Sequence, residues 1–293
     1  MDLNQILKLG IPKGSLEKAT IDLFQKAGWR ITVGQRSYFP DIDDKEVSCT
    51  LLRAQEMSRH VEGGLIDLGI TGHDWIMEYN SDVTVVQDLI YSKSSLKQAK
   101  WVLVVKENSP IKKIEDLEGK KISTELVNFT KNYFKDRNIN VQIEFSWGAT
   151  EAKVAEGLVD AIVEVTETGS TIKANNLKII DELLTTNPQL IANKEAWSDS
   201  WKKEKIEQIS LLVSGALYAE SMVGLKMNVP KDKLENIMEL LPSITSPTIS
   251  DLYGKHYVSV ETIAAKNIVR DLIPLFKKRG AEGIVEYPLN KVV

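Results

Sequence analysis

Three short segments of this 293-residue chain combine residue types that handle anions. The richest is DAIVEVTETGSTIKAN, residues 160–175. An apolar run over 161–165 carries Glu164 near its end. Thr166, Glu167, Thr168, Gly169, Ser170 and Thr171 follow before the pattern turns helical. Gly169 permits a tight turn and a close backbone approach, and N–H groups at a helix start with several hydroxyls suit a phosphate dianion. A carboxylate just upstream can accept from two sugar hydroxyls, so the segment reads as a site for a ribose 5-phosphate. Taken alone, the same residues serve equally well as a helix cap. Gly148, Ala149, Thr150 and Glu151 form a second helix start, suited to pyrophosphate or simply capped by Thr150. The third segment, Lys13, Gly14 and Ser15, lacks the Walker spacing, yet Lys13 at a helix start can meet a phosphate. Arg53 offers a cation after another strand. The loop Thr71, Gly72, His73 and Asp74 ends a further one, with His73 either a proton-transfer group or polar surface.

These loops need strands and helices to position them. The apolar pattern predicts strands over 6–11, 47–52 and 66–70, with helices over 16–27 and 54–63 between them. Strands over 101–105, 121–123, 142–145 and 161–165 follow, interleaved with a helical turn over 111–117 and helices over 126–136, 149–157 and 171–175. Such alternation argues for parallel sheets covered on both faces. An internal echo, VxxGLID at 61–67 and VxxGLVD at 154–160, hints at two related lobes. From about residue 210 the texture changes. Strands over 209–217, 224–229, 257–260 and 283–287, with helices over 230–241 and 261–279, suggest a small ferredoxin-like α+β domain. The Trp/Lys-rich stretch 195–205 reads as a solvated helix before it. The expected division is a first lobe over 1–100 with a return at about 185–215, a second lobe over 101–184, and an appended domain over 216–293.

Composition narrows the function classes. Hydrophobic residues make up 43% and charged residues 27%, a globular balance. A net charge of −4 provides no global field for nucleic acid. No apolar run approaches the roughly 20 residues that span a bilayer, and the N-terminus lacks the pattern of a secretory leader. A cytoplasmic protein without a membrane partner is expected. The single cysteine, Cys49, has no internal partner, and His60, His73 and His256 are too dispersed for zinc spacing.

Taken together, the segments LGIPKGSLEKATIDLFQKAG, RAQEMSRHVEGGLIDLGITGHDW, KISTELVNFTKNYF and GATEAKVAEGLVDAIVEVTETGSTIKANNL resemble the ATP phosphoribosyltransferases, the enzymes of the first step of histidine biosynthesis. LKMNVPKDKLENIMELLPSITSPTISDL and RGAEGIVEYPL extend the resemblance to the long form with a C-terminal regulatory domain. The resemblance implies an α/β fold of two periplasmic-binding-protein-like lobes, with an ACT-like ferredoxin fold behind them. It implies transfer of the phosphoribosyl group of PRPP to N1 of ATP, release of pyrophosphate, a Mg2+ requirement met mainly through substrate phosphates, feedback inhibition by histidine, and homo-oligomers that are dimers or hexamers. Carried onto this chain, Thr168–Thr171 bind the 5-phosphate, with Thr166 and Glu167 in the same PRPP loop, and Glu164 binds the ribose hydroxyls, while Gly148–Glu151 lie beside the pyrophosphate and the metal. Lys13, Gly14, Ser15, Arg53, Thr71, Gly72 and Asp74 face ATP, and Ser246, Thr248 and Gly283 line the histidine site. Two departures stand out: many members have arginine at the position of Ser15, and many have aspartate at the position of Glu164. Two other readings use the same parts. One is a solute-binding protein, and the other is a phosphoribosyltransferase acting on another base.

Overall fold

The structure is a computed structural model that describes residues 5–91, 97–242, 246–254 and 256–293. Leu7, Leu9 and Ile11 are fully buried on β1 (Leu7–Lys13), which has a strand on either side of it. α1 (Glu17–Ala27) follows, then the short hairpin β2 (Ile31–Thr32) and β3 (Asp41–Ile42). Next come β4 (Val47–Arg53), α2 (Ala54–Glu62), β5 (Leu68–Gly72), α3 (His73–Tyr79) and β6 (Thr84–Asp88). The chain then builds a second sheet from β7 (Ala99–Lys106), β8 (Lys121–Thr124), β9 (Gln142–Phe145), β10 (Ala161–Thr166) and β11 (Leu177–Thr186). Its helices are α4 (Val127–Lys135), α5 (Thr150–Glu156) and α6 (Ser170–Ala174), with a 3-10 turn at Ile114–Leu117. β12 (Pro188–Ala192) returns to the first sheet, whose order is β4-β1-β5-β12-β6. The second sheet runs β11-β7-β10-β8-β9.

Both sheets are mixed, which corrects the expectation of parallel ones. β12 lies antiparallel to β5 and β6, and β7 lies antiparallel to β10 and β11. The sequence reading missed β6, β11 and β12. β6 and β11 are only partly buried, so neither carries a continuous apolar run. The internal echo, by contrast, has a physical counterpart. Gly64 and Gly157 both take positive φ after a helix. Asp67 then accepts the N–H of Lys8 at 2.9 Å, and Asp160 accepts the N–H of Lys121 at 2.9 Å. Each lobe thus pins the first residues of a central strand with the aspartate of its repeated motif.

The chain divides into two compact units, Met1–Asp22 with Trp29–Ser210, and Leu23–Gly28 with Leu211–Val293. α7 (Lys194–Ser198) and α8 (Ser200–Ala219) lead toward the second. The predicted strand over 209–217 is the second half of α8. Its buried residues Ile206, Ile209, Val213 and Ala216 recur every three or four positions, the helical period. Nor is 195–205 merely solvated. Lys205 is buried between Asp44 (2.8 Å) and Glu46 (2.7 Å), and Lys202 pairs with Asp67 at 2.8 Å.

The second unit carries β13 (Met222–Pro230), α9 (Leu234–Met238), β14 (Thr248–Asp251), β15 (Tyr257–Ala265), α10 (Lys266–Lys278) and β16 (Glu282–Pro288). Its antiparallel sheet has the order β14-β15-β13-β16, the ferredoxin-like arrangement. Three predictions shift here. Residues 261–265 belong to β15, because Val258, Val260, Thr262 and Ala264 alternate inward as a strand requires. The helix over 230–241 shrinks to a 3-10 turn at Lys231–Lys233 and α9. β14, fully exposed and therefore without an apolar signature, was not foreseen. Among the described residues no helix is long and apolar enough to cross a membrane.

Candidate active site

Strand ends and helix starts of both lobes meet at one cavity of about 450 Å³ in the first unit. From the first lobe Lys13, Ser15, Arg53, Gly72 and Asp74 line it; from the second come Glu125, Thr166 and Glu167. Its floor includes the crossing residues Thr186, Asn187 and Pro188. Asn187 fixes that floor. Its amide donates to Asp88 at 3.1 Å, its side-chain oxygen accepts from Gln98 at 3.0 Å, and its carbonyl accepts the N–H of His73. His73 therefore starts α3 beside Asp88 and does not line the cavity.

α3 joins the lobes. Trp75 packs into the second lobe's core and meets Trp101 edge-to-face, with centroids 6.3 Å apart. Trp101 donates its indole N–H to Asp74 at 2.6 Å, and the Trp75 N–H reaches the other Asp74 oxygen at 3.0 Å. Burial pushes the Asp74 carboxyl up, against the pull of these hydrogen bonds. Asp74 thus supports the wall of the cavity, with little capacity left for a ligand. A Cβ on Gly72 would collide with Asp74, so the close approach itself requires glycine there. Glu78, one turn on, accepts the N–H groups of Asn128 (3.0 Å) and Phe129 (2.9 Å), capping α4 from the opposite lobe. Thr71 is fully buried and donates to the carbonyl of Ala54 at 2.6 Å. Its hydroxyl is occupied and away from the cavity, contrary to the ligand contact expected of it.

On the first lobe, Gly14 has φ 110°, and a Cβ there would press on Arg53 Nη1. The turn therefore holds Lys13, Ser15 and Arg53 together. Lys13 lies over the Tyr38 ring, 3.8 Å from its centroid. These two cations and the helix start beside them give this side of the cavity a positive edge.

The second lobe presents the Thr166–Thr171 loop. Thr166 Oγ1 accepts the N–H of Gly169 at 2.8 Å, and Thr168 and Ser170 share a hydroxyl contact at 3.0 Å. Gly169 takes φ 72° and caps α6, leaving Thr168, Ser170 and Thr171 exposed. Thr166 and Glu167 line the cavity, while Thr168–Thr171, Glu164 and Gly148–Glu151 lie off its wall. Glu164 instead faces Thr150, Glu151 and Glu125, and its own oxygen accepts the N–H of Val165 at 3.0 Å. Burial, with repulsion from Glu151 and Glu125, pushes its carboxyl up to about 7. Ala149 sits in the left-handed region at φ 50°, a position that costs a non-glycine residue about 1–2 kcal/mol. That strain sits in the turn beside Glu164, as is common at functional loops.

Glu125 is the lining carboxylate that the sequence reading missed, together with Lys97, Trp101 and Asn187. Glu125 immediately follows β8, and although Ser123 and Thr124 precede it, no glycine turn marks the position. The predicted effector residues are not brought together. Ser246 and Thr248 lie at the β14 edge and Gly283 on β16, the opposite edge of a four-stranded sheet. Three strand spacings separate those edges, about 14 Å.

Two lobes of mixed sheet around a shared cleft, followed by a ferredoxin-like unit, define an α/β protein of periplasmic-binding-protein-like architecture. A family model described as ATP phosphoribosyltransferase matches residues 53–215, and one described as the HisG C-terminal domain matches residues 219–291. The ATP phosphoribosyltransferase of Solidesulfovibrio magneticus is 61% identical over 290 residues, covering 99% of either chain. That of Desulfosudis oleivorans is 60% identical, covering 99% of this chain and 100% of its own. Among solved structures, a chain of the ATP phosphoribosyl transferase (HisG:HisZ) complex from Thermotoga maritima superposes with a TM-score of 0.64 at 25% identity, covering 74% of this chain and 100% of that one. The chain belongs to the ATP phosphoribosyltransferase family and is an enzyme, a pentosyltransferase.

Proposed function

We propose that the chain transfers the 5-phosphoribosyl group of PRPP to N1 of ATP, releases pyrophosphate, and so opens histidine biosynthesis. The observation that carries this reading is the cavity itself. Lys13 and Arg53 of one lobe share it with Thr166 and Glu167 of the other, and Glu164 lies behind its wall, near the lining residue Glu125. Thr166–Thr171 take the 5-phosphate through hydroxyls and the N–H groups of the first turn of α6. Glu164 accepts from the ribose hydroxyls and, once ionised, favours the positive charge that the ring acquires as C1 parts from pyrophosphate. Gly148–Glu151 lie against the leaving group, and Lys13 with Arg53 holds the triphosphate of ATP. N1 of adenine brings its own lone pair, so alignment of two substrates does most of the work and no strong base is needed.

Among the described residues no group of three His, Cys, Asp or Glu forms a metal cage. Glu151 and Glu164 suit an ion that arrives mainly on substrate oxygens, the habit of Mg2+. When bound, Mg2+ offsets the charge of the departing pyrophosphate. Histidine inhibition, dimers and hexamers, and a cytoplasmic setting belong to the same reading. Because Ser246 and Thr248 lie on one sheet edge and Gly283 on the other, a histidine pocket using both is completed by a second copy.

Incubation of the protein with ATP, PRPP and Mg2+, with pyrophosphate release followed in the presence and absence of millimolar histidine, tests the reading. Turnover that needs both substrates and falls with histidine is expected. Tight binding of an amino acid or sugar without pyrophosphate release would overturn it.

A further inference from the structure

Glu125 occupies the junction of the two half-sites. It lines the cavity together with Arg53 and Lys13, and its carboxylate is also close enough to Glu164 to raise that group. The side chain of Gln55, two residues after Arg53, and the N–H of Gly148, at the start of the pyrophosphate-side turn, both point at it. Its backbone is fixed on both sides. β8 precedes it, Thr124 Oγ1 accepts the N–H of Leu126 at 3.1 Å, and Leu126 is fully buried just before the capped start of α4. Burial and the nearby anion Asp74 push its carboxyl up, against the pull of the Gln55 and Gly148 hydrogen bonds. A half-buried carboxylate on a rigid turn at the cavity wall, with Gln55 and the Gly148 N–H as its donors, keeps acceptor capacity for a donor that arrives with a ligand.

Resting on the phosphoribosyl-transfer reading above, we infer that Glu125 accepts the exocyclic N6 amine of the ATP adenine, selecting adenine and stabilising the transition state. Adenine carries a donor next to N1, whereas guanine and hypoxanthine carry a carbonyl oxygen there, which a carboxylate repels. The reaction strengthens this contact. The N1 lone pair forms the bond to ribose C1 as the C1–O bond to pyrophosphate breaks with its electron pair. The positive charge left on adenine spreads over N1, C6 and N6 until an N6 proton leaves to solvent. An acceptor on N6 therefore gains most when that charge develops. Because Glu125 adjoins Glu164, an amine held by one sets N1 beside the ribose held by the other.

Glu125→Gln changes the shape least. With ATP and PRPP, kcat should fall at least tenfold, the scale of one lost hydrogen bond to a charged group, while KM for PRPP stays within about twofold. In calorimetric titrations of wild type and variant, the preference for ATP over inosine triphosphate should drop by a similar factor, because glutamine can also donate to a carbonyl. Glu125→Asp should retain the preference and recover part of kcat. Unchanged kcat and preference in Glu125→Gln would overturn the inference. So would a loss shared equally by ATP and inosine triphosphate with a lowered melting temperature, which marks a structural role. If wild type releases no pyrophosphate, the broader reading fails, and the nucleotide titration still decides whether Glu125 selects adenine.

Discussion

Replacing Glu164 by glutamine separates what the cleft needs for folding from what it needs for chemistry. Glu164 is half-buried, and burial with repulsion from Glu151 and Glu125 raises its carboxyl from 4.5 to about 7. Between those values the native chain holds a proton that the unfolded chain has released, so stability falls as pH rises through that window. At about 1.4 kcal/mol for each pH unit, the ionised carboxylate costs the fold at most about 3.5 kcal/mol above pH 7. Glu164→Gln removes the charge and little volume. The variant should melt with wild type at pH 5 and above it at pH 8, by ~2–4 °C for each kcal/mol recovered. Its phosphoribosyl transfer should fall at least tenfold above pH 7, the deficit shrinking toward pH 5, where the wild-type carboxyl is protonated as well. In wild type, kcat/KM for PRPP should climb as pH passes about 7, where the carboxylate that favours the cationic ring becomes ionised. Melting curves at four pH values and initial rates in the same buffers provide the measurement. A stability difference that does not change with pH, or a variant with full activity, would refute the reasoning.

Two further substitutions test the inter-lobe architecture. Trp101→Phe keeps most of the ring but removes the N–H that reaches Asp74 at 2.6 Å. It should destabilise the first unit by about 2–3 kcal/mol, the scale of a lost hydrogen bond to a buried charged group, and urea unfolding followed by fluorescence should detect it. A loss below about 0.5 kcal/mol would mean that Asp74 is neutral or held by its other donors. Glu78→Ala should cost about 1–2 kcal/mol, since the N–H groups of Asn128 and Phe129 lose their acceptor. Hydrogen exchange at the first turn of α4 should accelerate with it, and unchanged protection there would contradict the capping role.

Part of the cleft lining was legible in the sequence because loops suited to anions are built from local grammar. A strand end, a glycine in a left-handed turn, hydroxyls and a helix start occur within a few residues, as in Thr166–Thr171 and at Gly14 beside Arg53. The VxxGLID and VxxGLVD echo was readable for the same reason, each copy being one helix–glycine–strand step ending in an aspartate that binds a neighbouring strand. Where local pattern was ambiguous, the reading failed. The run over 209–217 fits strand and helix alike by composition, and only burial of one side of α8 separates them.

By itself, then, the sequence determined the residue types suited to phosphate and sugar, most of the strands and helices that carry them, and the family resemblance. Tertiary structure decided which of those residues share a space. It turned Thr71 inward to a backbone carbonyl, gave Asp74 to Trp101, set Ser246 and Gly283 on opposite sheet edges, and brought Glu125 to the meeting point of the lobes. Hydrogen-bond partners and desolvation depend on atoms supplied by distant segments. A carboxylate's role is therefore written in the packing around it rather than in its neighbours along the chain.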